Sequence, residues 1–127
     1  MKYGVQLFSL RKLIQEKGFE EAIKTVSLAG YQGVELAGFY MSPEDTKKLL
    51  DKYGLVAVSA HLHEEQVEEC IEYIKTLGMK IVYTPGIFGN RWDEDVYPET
   101  VLKHKKALDF LSKNGVEFGY HNHDHEY

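Results

Sequence analysis

The stretch Leu55-Val56-Ala57-Val58-Ser59-Ala60, followed by His61, reads as a β-strand whose two faces differ in kind. Successive side chains of a strand point to opposite faces. Val56 and Val58 fall on one face; Ala57, Ser59 and His61 fall on the other. Four further runs share this pattern, at residues 3–9, 33–37, 80–84 and 116–121. Their first face carries Val5, Leu7, Val34, Leu36, Ile81, Tyr83, Phe118 and Tyr120. Their second carries Gly4, Gln6, Glu35, Ala37, Val82, Thr84, Glu117, Gly119 and His121. In a doubly wound sheet both faces lie under helices, so strands read as near-continuous apolar runs. Here one face suits packed helices, and the other is small and polar, as if it lined an interior with a site at its mouth. The pattern favours a parallel (βα)4β partial TIM barrel, a half-barrel. The alternative is a flavodoxin-like five-stranded doubly wound sheet.

Between these strands the chain reads as helix. Phe19, Ala22, Ile23 and Val26 follow the i, i+3, i+4, i+7 template, as do Thr46, Leu49, Leu50 and Tyr53. Val67, Cys70, Ile71 and Ile74 make a third stripe, and residues 98–114 a fourth, with Leu108 and Leu111 on its buried side. Ser42 before Pro43 is a helix start, because Ser caps free N–H groups and Pro fits the first helical position. Each helix ends at a glycine leading into the next strand: Gly30, Gly54, Gly78 and Gly115. The repeat of strand plus helix implies parallel crossovers. A longer loop through Gly86, Gly89 and Trp92 interrupts the third interval.

The chain has 127 residues, which predicts a single domain over 1–127. A complete eight-stranded barrel needs about 200–250 residues. Hydrophobic residues make up 43%, enough for one packed core, and the formal charge is −5. No basic footprint points to nucleic acid, and no apolar run approaches the ~20 residues of a membrane span. One cysteine, Cys70, excludes an intrachain disulfide and fits a reducing, cytoplasmic setting. No G-x-G-x-x-G follows the first strand and no G-x-S-x-G elbow is present, so dinucleotide and serine-hydrolase sites are not supported.

Ligands bind at the carboxyl ends of parallel strands, and the polar residues gather there. Gln6, Ser9 and Arg11 end the first strand, and Glu35 lies in the second. His61 and His63 end the third, and His121, Asn122, His123 and Glu126 end the fifth. His121 and His123 point the same way in an extended segment and can share a divalent metal, with Glu126 completing a facial set. The plain alternative is a solvated tail. Glu35, on the small-residue face, is costly to bury alone, so it pairs with a cation or faces substrate. His61 is an acid–base group, a ligand or a hydrogen-bonded core histidine. Arg11 suits an anionic substrate group or a surface acid. His104 sits on a charged helix and reads as surface.

Together, Gly4-Val5-Gln6-Leu7-Phe8-Ser9-Leu10-Arg11, Gly30-Tyr31-x-Gly33-Val34-Glu35, Ser59-Ala60-His61 and Tyr120-His121-Asn122-His123-x-x-Glu126 resemble the sugar phosphate isomerase/epimerase family. These are xylose-isomerase-like TIM barrels, related to apurinic-site endonucleases, and the resemblance is to their N-terminal half. It implies proton abstraction next to a carbonyl of a sugar or polyol, with help from a divalent metal (Mn, Co, Mg or Zn). Carried over, Glu35, His61 and His123 are catalytic. Gln6, Ser9, Arg11 and Asn122 bind substrate, and His121 and Glu126 hold the metal. The family's remaining metal ligands lie on later strands, so one copy is expected to hold an incomplete site. Open edges at strands one and five imply a homodimer or higher assembly. Nucleic acid and membrane are not expected partners.

Overall fold

The computed structural model describes residues 2–86 and 94–123. Five strands form one parallel sheet: β1 (Gly4–Gln6), β2 (Gly33–Leu36), β3 (Val56–His61), β4 (Ile81–Pro85) and β5 (Glu117–His121). Their spatial order is β1-β2-β3-β4-β5. A flavodoxin-like sheet runs 2-1-3-4-5, so the doubly wound alternative is excluded. The order is that of consecutive barrel strands, and β1 and β5 are the open edges.

Five helices connect the strands: α1 (Arg11–Lys17), α2 (Phe19–Leu28), α3 (Pro43–Lys52), α4 (Ile71–Thr76) and α5 (Val96–Lys113). Ser42 caps α3 as its sequence position implies, its Oγ accepting from the Asp45 N–H at 3.1 Å. The recurring glycines close the helices in one way. Gly54 sits at φ +67°, and the next N–H, that of Leu55, donates back to Leu50 O at 2.9 Å. Tyr31 to Val26, Met79 to Ile74 and Val116 to Leu111 repeat the bond. This six-to-one closure satisfies a helix-end carbonyl and places an apolar residue against the last turn.

Three local readings change. The first strand is three residues long, not seven, because the chain turns after Gln6 into a 3-10 turn, Leu7–Leu10, and then α1. Leu10, Leu13 and Ile14 carry helical spacing there, and all three pack into the core. The stripe through Val67 and Ile74 is a 3-10 turn at Glu64–Gln66, a run of turns, then the short α4. On α5 the buried pair is Ala107 and Leu111, whereas Leu108 is exposed.

The strand faces are the larger correction. Val34 pairs with Ala57, but Glu35 pairs with Ser59, so the ladder slips by one residue at Val58. A bulge of this kind reverses the alternation on one side of it. Ala57 therefore packs under the helices, and Val56 and Val58 stand on the inner face, 61% and 50% exposed. Past the bulge Ser59 and His61 face inward as the sequence suggests. Register then places Ile81, Tyr83 and Gly119 on the inner side as well. Val82 and Thr84, assigned inward from sequence, are wholly buried beneath the helices. Inner glycines leave room for these larger neighbours: a Cβ on Gly119 would lie 2.3 Å from Tyr83 Cδ1, and one on Gly33 2.5 Å from Val58 Cγ2.

The core lies on the helix side alone. It joins Ile23 and Val26 of α2, Leu49 and Leu50 of α3, Ile74 of α4 and Leu111 of α5 to Val34, Leu36, Ala60 and Val82 of the sheet. The inner face has no such layer over it among the described residues. Cys70 is half-buried against the core. Among the described residues no helix is long and apolar enough to cross a membrane.

Candidate active site

The inner-face residues at the carboxyl ends of β1, β2 and β3 form one polar network. Glu35 is its centre. Its Oε2 accepts from Ser59 Oγ at 2.6 Å, and its Oε1 accepts from the Gln6 amide. The same Gln6 nitrogen lies 3.4 Å from His61 Nδ1. Parallel register explains the meeting, since Gln6 pairs with Glu35 and Glu35 with Ser59 across adjacent strands. The cost of a carboxylate in an apolar strand is thus met by two neutral donors, where the sequence suggested a cation or a substrate. Each carboxylate oxygen keeps a further lone pair for another partner.

Histidines continue the network. The rings of His61 and His121 are 4.6 Å apart and those of His121 and His123 5.0 Å. A cleft of about 630 Å³ opens over them, lined among others by Gln6, Phe8, His61, His121 and His123. A second, of about 340 Å³, reaches Gln6, Glu35, Tyr83, His121 and Asn122. Two adjacent imidazoles are a partial donor set for a divalent metal. Among the described residues no group of three His, Cys, Asp or Glu is placed to hold one. Glu126, the expected carboxylate ligand, lies outside the described residues, as do Gly89 and Trp92 of the long loop.

Not every expected residue reaches the cleft. Arg11 folds back on its own turn, with its guanidinium 4.4 Å over the Phe8 ring and Nη1 donating to Phe8 O at 3.0 Å. That arrangement was not foreseen; it is a cation–π contact and a local carbonyl bond. Ser9 is exposed on the same turn. His63, exposed at the start of the 3-10 turn after β3, does line the larger cleft.

Sequence reading missed three residues. Ser59 was placed on the correct face but not as the partner of Glu35. Tyr83 was placed on the wrong face and lines the smaller cleft. His104, read as surface, is 13% exposed; its Nε2 lies 2.7 Å from Glu64 Oε1, itself 11% exposed, and 3.3 Å from Pro85 O. Its ring packs on Phe118 and Tyr120. It ties α5 to the turn after β3 and to the end of β4, behind the site. Nothing in the charged run around it signals that partner.

Burial pushes the His61 pKa below its ordinary value, and the His121 imidazole adds to this, while Glu35 pulls the other way. On acidification the unfolded chain takes up this proton first. His61 thus contributes stability that is complete above its ordinary pKa of about 6.5 and declines as pH falls below it. Urea unfolding at pH 7.5 and 5.5 should show a drop in wild type that is smaller in His61→Gln; an equal drop in both would remove His61 as its source.

The comparisons fall in line with this geometry. No protein-family model and no curated protein sequence matches the chain. Solved structures do. A sugar phosphate isomerase/epimerase from Parabacteroides distasonis is 26% identical, with a TM-score of 0.64 over 96% of this chain and 51% of its own. The fold is that of one half of a sugar phosphate isomerase/epimerase barrel. An AP endonuclease of family 2 from Brucella melitensis matches with a TM-score of 0.68 at 17% identity, over 94% of this chain and 54% of its own. A probable 3-DHS dehydratase from Bacillus anthracis matches with a TM-score of 0.72 at 16% identity, over 93% and 51%. The chain thus spans about half the length of the solved structures it matches. These neighbours are xylose-isomerase-like TIM barrels, as the sequence motifs suggested, and this chain's five parallel strands occupy one half of that architecture.

Proposed function

We propose that this half-barrel carries the base-bearing half of an isomerase or epimerase site, one that removes a proton next to a carbonyl of a sugar or polyol. The observation that carries this is Glu35, held on the inner face by Gln6 and Ser59 beside His61, with clefts opening onto both. Glu35 takes the proton from one face of the carbon and returns it to the neighbouring carbon; inversion at the same carbon needs a second proton donor on the opposite face. The electron pair moves onto the carbonyl oxygen, which accepts hydrogen bonds from the imidazoles of His61 and His123. Gln6 and Asn122 line the clefts and bind hydroxyl groups. Ser9 and Arg11 stand at the rim, where Arg11 can meet an anionic group once it leaves Phe8. His121 and Glu126 are the residues we assign to a divalent metal (Mn, Co, Mg or Zn), which when bound polarises the carbonyl.

The family resemblance and the isomerase/epimerase fold support this reading, and so does composition. One neighbour of the same fold is an AP endonuclease, but a net charge of −5 does not give this chain the basic footprint of a nucleic-acid binder. Proton abstraction is read by NMR: a ketose is incubated with the protein and Mn²⁺ or Co²⁺ in D2O. Deuterium entering the carbon beside the carbonyl supports the reading. No exchange together with no metal uptake supports the second reading, a sugar- or metal-binding domain without turnover. That reading is favoured by the described residues, among which no three donors are placed to hold a metal.

The inner face and the strand edges also bear on assembly. Tyr3, Val56 and Val58 stand exposed there, and among the described residues β1 and β5 each pair with one strand only. We expect a homodimer or higher assembly that covers them. Size-exclusion chromatography with light scattering should give a mass above the 14.6 kDa of one chain; a monomer at high concentration would count against it.

A further inference from the structure

We infer that Gln6 sets the tautomer of His61, holding the ring proton on Nε2 and making His61 a neutral hydrogen-bond donor to an oxygen of the bound substrate. The donor role rests on the function proposed above; the tautomer stands on the geometry alone.

Glu35 decides the orientation of the Gln6 amide. A carboxylate only accepts hydrogen bonds, so the amide atom facing Glu35 Oε1 is the NH2 group and not the carbonyl. That nitrogen is also the atom 3.4 Å from His61 Nδ1. An amide NH2 has two hydrogens and accepts nothing, so Nδ1 must present its lone pair. The proton of the neutral ring is then on Nε2. Among the described residues no protein group takes a hydrogen bond from Nε2, and the ring lines the larger cleft. The ring's depressed pKa agrees with a neutral imidazole.

A division of labour follows. With its proton on Nε2, the ring has no lone pair there to take a proton from carbon or to bind a cation. It can give a hydrogen bond to a carbonyl or hydroxyl oxygen, as neutral imidazoles do when they act as electrophiles. Of Glu35 and His61, the base is then Glu35. Ser59 supports the arrangement from behind by occupying Oε2, leaving Oε1 to fix the amide. Gln6 is a positioning residue: it acts on chemistry through His61.

Long-range 1H–15N NMR of the full chain, labelled at histidine and held where the ring is neutral, reads the tautomer directly. His61 is assigned by the signal lost in His61→Gln. The expected spectrum has a pyrrole-type Nε2 and a pyridine-type Nδ1; a protonated Nδ1 in wild type overturns the inference. The variant carrying Gln6→Glu with Glu35→Gln keeps one amide and one carboxylate but turns an acceptor toward Nδ1. Where its backbone spectrum shows the native fold, His61 should invert to the Nδ1–H form, and persistence of the Nε2–H form would show that Gln6 does not set it. The wild-type spectrum decides the assignment by itself if the double variant does not fold. Turnover is not read, so failure of the isomerase assay leaves this result standing, and the reverse also holds.

Discussion

Glu35→Gln is expected to lower the rate of proton exchange from a ketose by about 10²–10⁴-fold, the range that a positioned general base contributes. The substitution is chosen to leave the network whole. Glutamine keeps an oxygen to accept from Gln6, and its amino group can donate to Ser59, whose hydroxyl also accepts. Thermal unfolding should therefore move little while exchange falls. A matching loss of stability would mean that Glu35 is a structural carboxylate, and unchanged exchange would move the base to another residue.

Leu111→Ala should cost about 2–5 kcal/mol, as truncation of a buried leucine does. Leu111 is fully buried at the end of α5, and its carbonyl accepts the Val116 N–H that closes the helix onto β5. With small domains stable by only about 5–15 kcal/mol, that is a large share. Val58→Ala is the contrast. Val58 is also an aliphatic strand residue, but it is half exposed on the inner face. Alone in solution its truncation should change stability by about 0.5 kcal/mol or less. Urea unfolding of both variants across a concentration series checks the pair. A cost for Val58→Ala that grows with protein concentration would reveal a second copy on the inner face; a negligible cost for Leu111→Ala would contradict the core described here.

Much of the architecture was legible because it rests on short-range chemistry. Ser42 and Pro43 start α3 by satisfying N–H groups within one turn. Gly54 and its counterparts end helices because only glycine takes a positive φ without a Cβ penalty. Their repeat announced strand and helix in alternation, and the ordered motifs announced which half-barrel. Glu35 and His61 were legible for a similar reason: a carboxylate and an imidazole on a small-residue strand face are conspicuous.

Tertiary structure decided what depends on pairing between distant segments. The bulge opposite Val34 and Glu35 turned Val56 and Val58 inward, and no residue within 55–61 signals that slip. Thr84 looked like an interior polar residue yet lies buried under the helices, because the pairing of β4 with β3 and β5 turns it to that side. His104 found Glu64 across about forty residues of chain. The sequence by itself determined the alternation of strand and helix, the parallel crossovers and the chemical character of the strand ends. Only the tertiary structure decided which side each strand residue faces and which donors hold Glu35. Side-chain alternation has a period of two, so one inserted residue inverts a face, and register is a property of two strands, not of one.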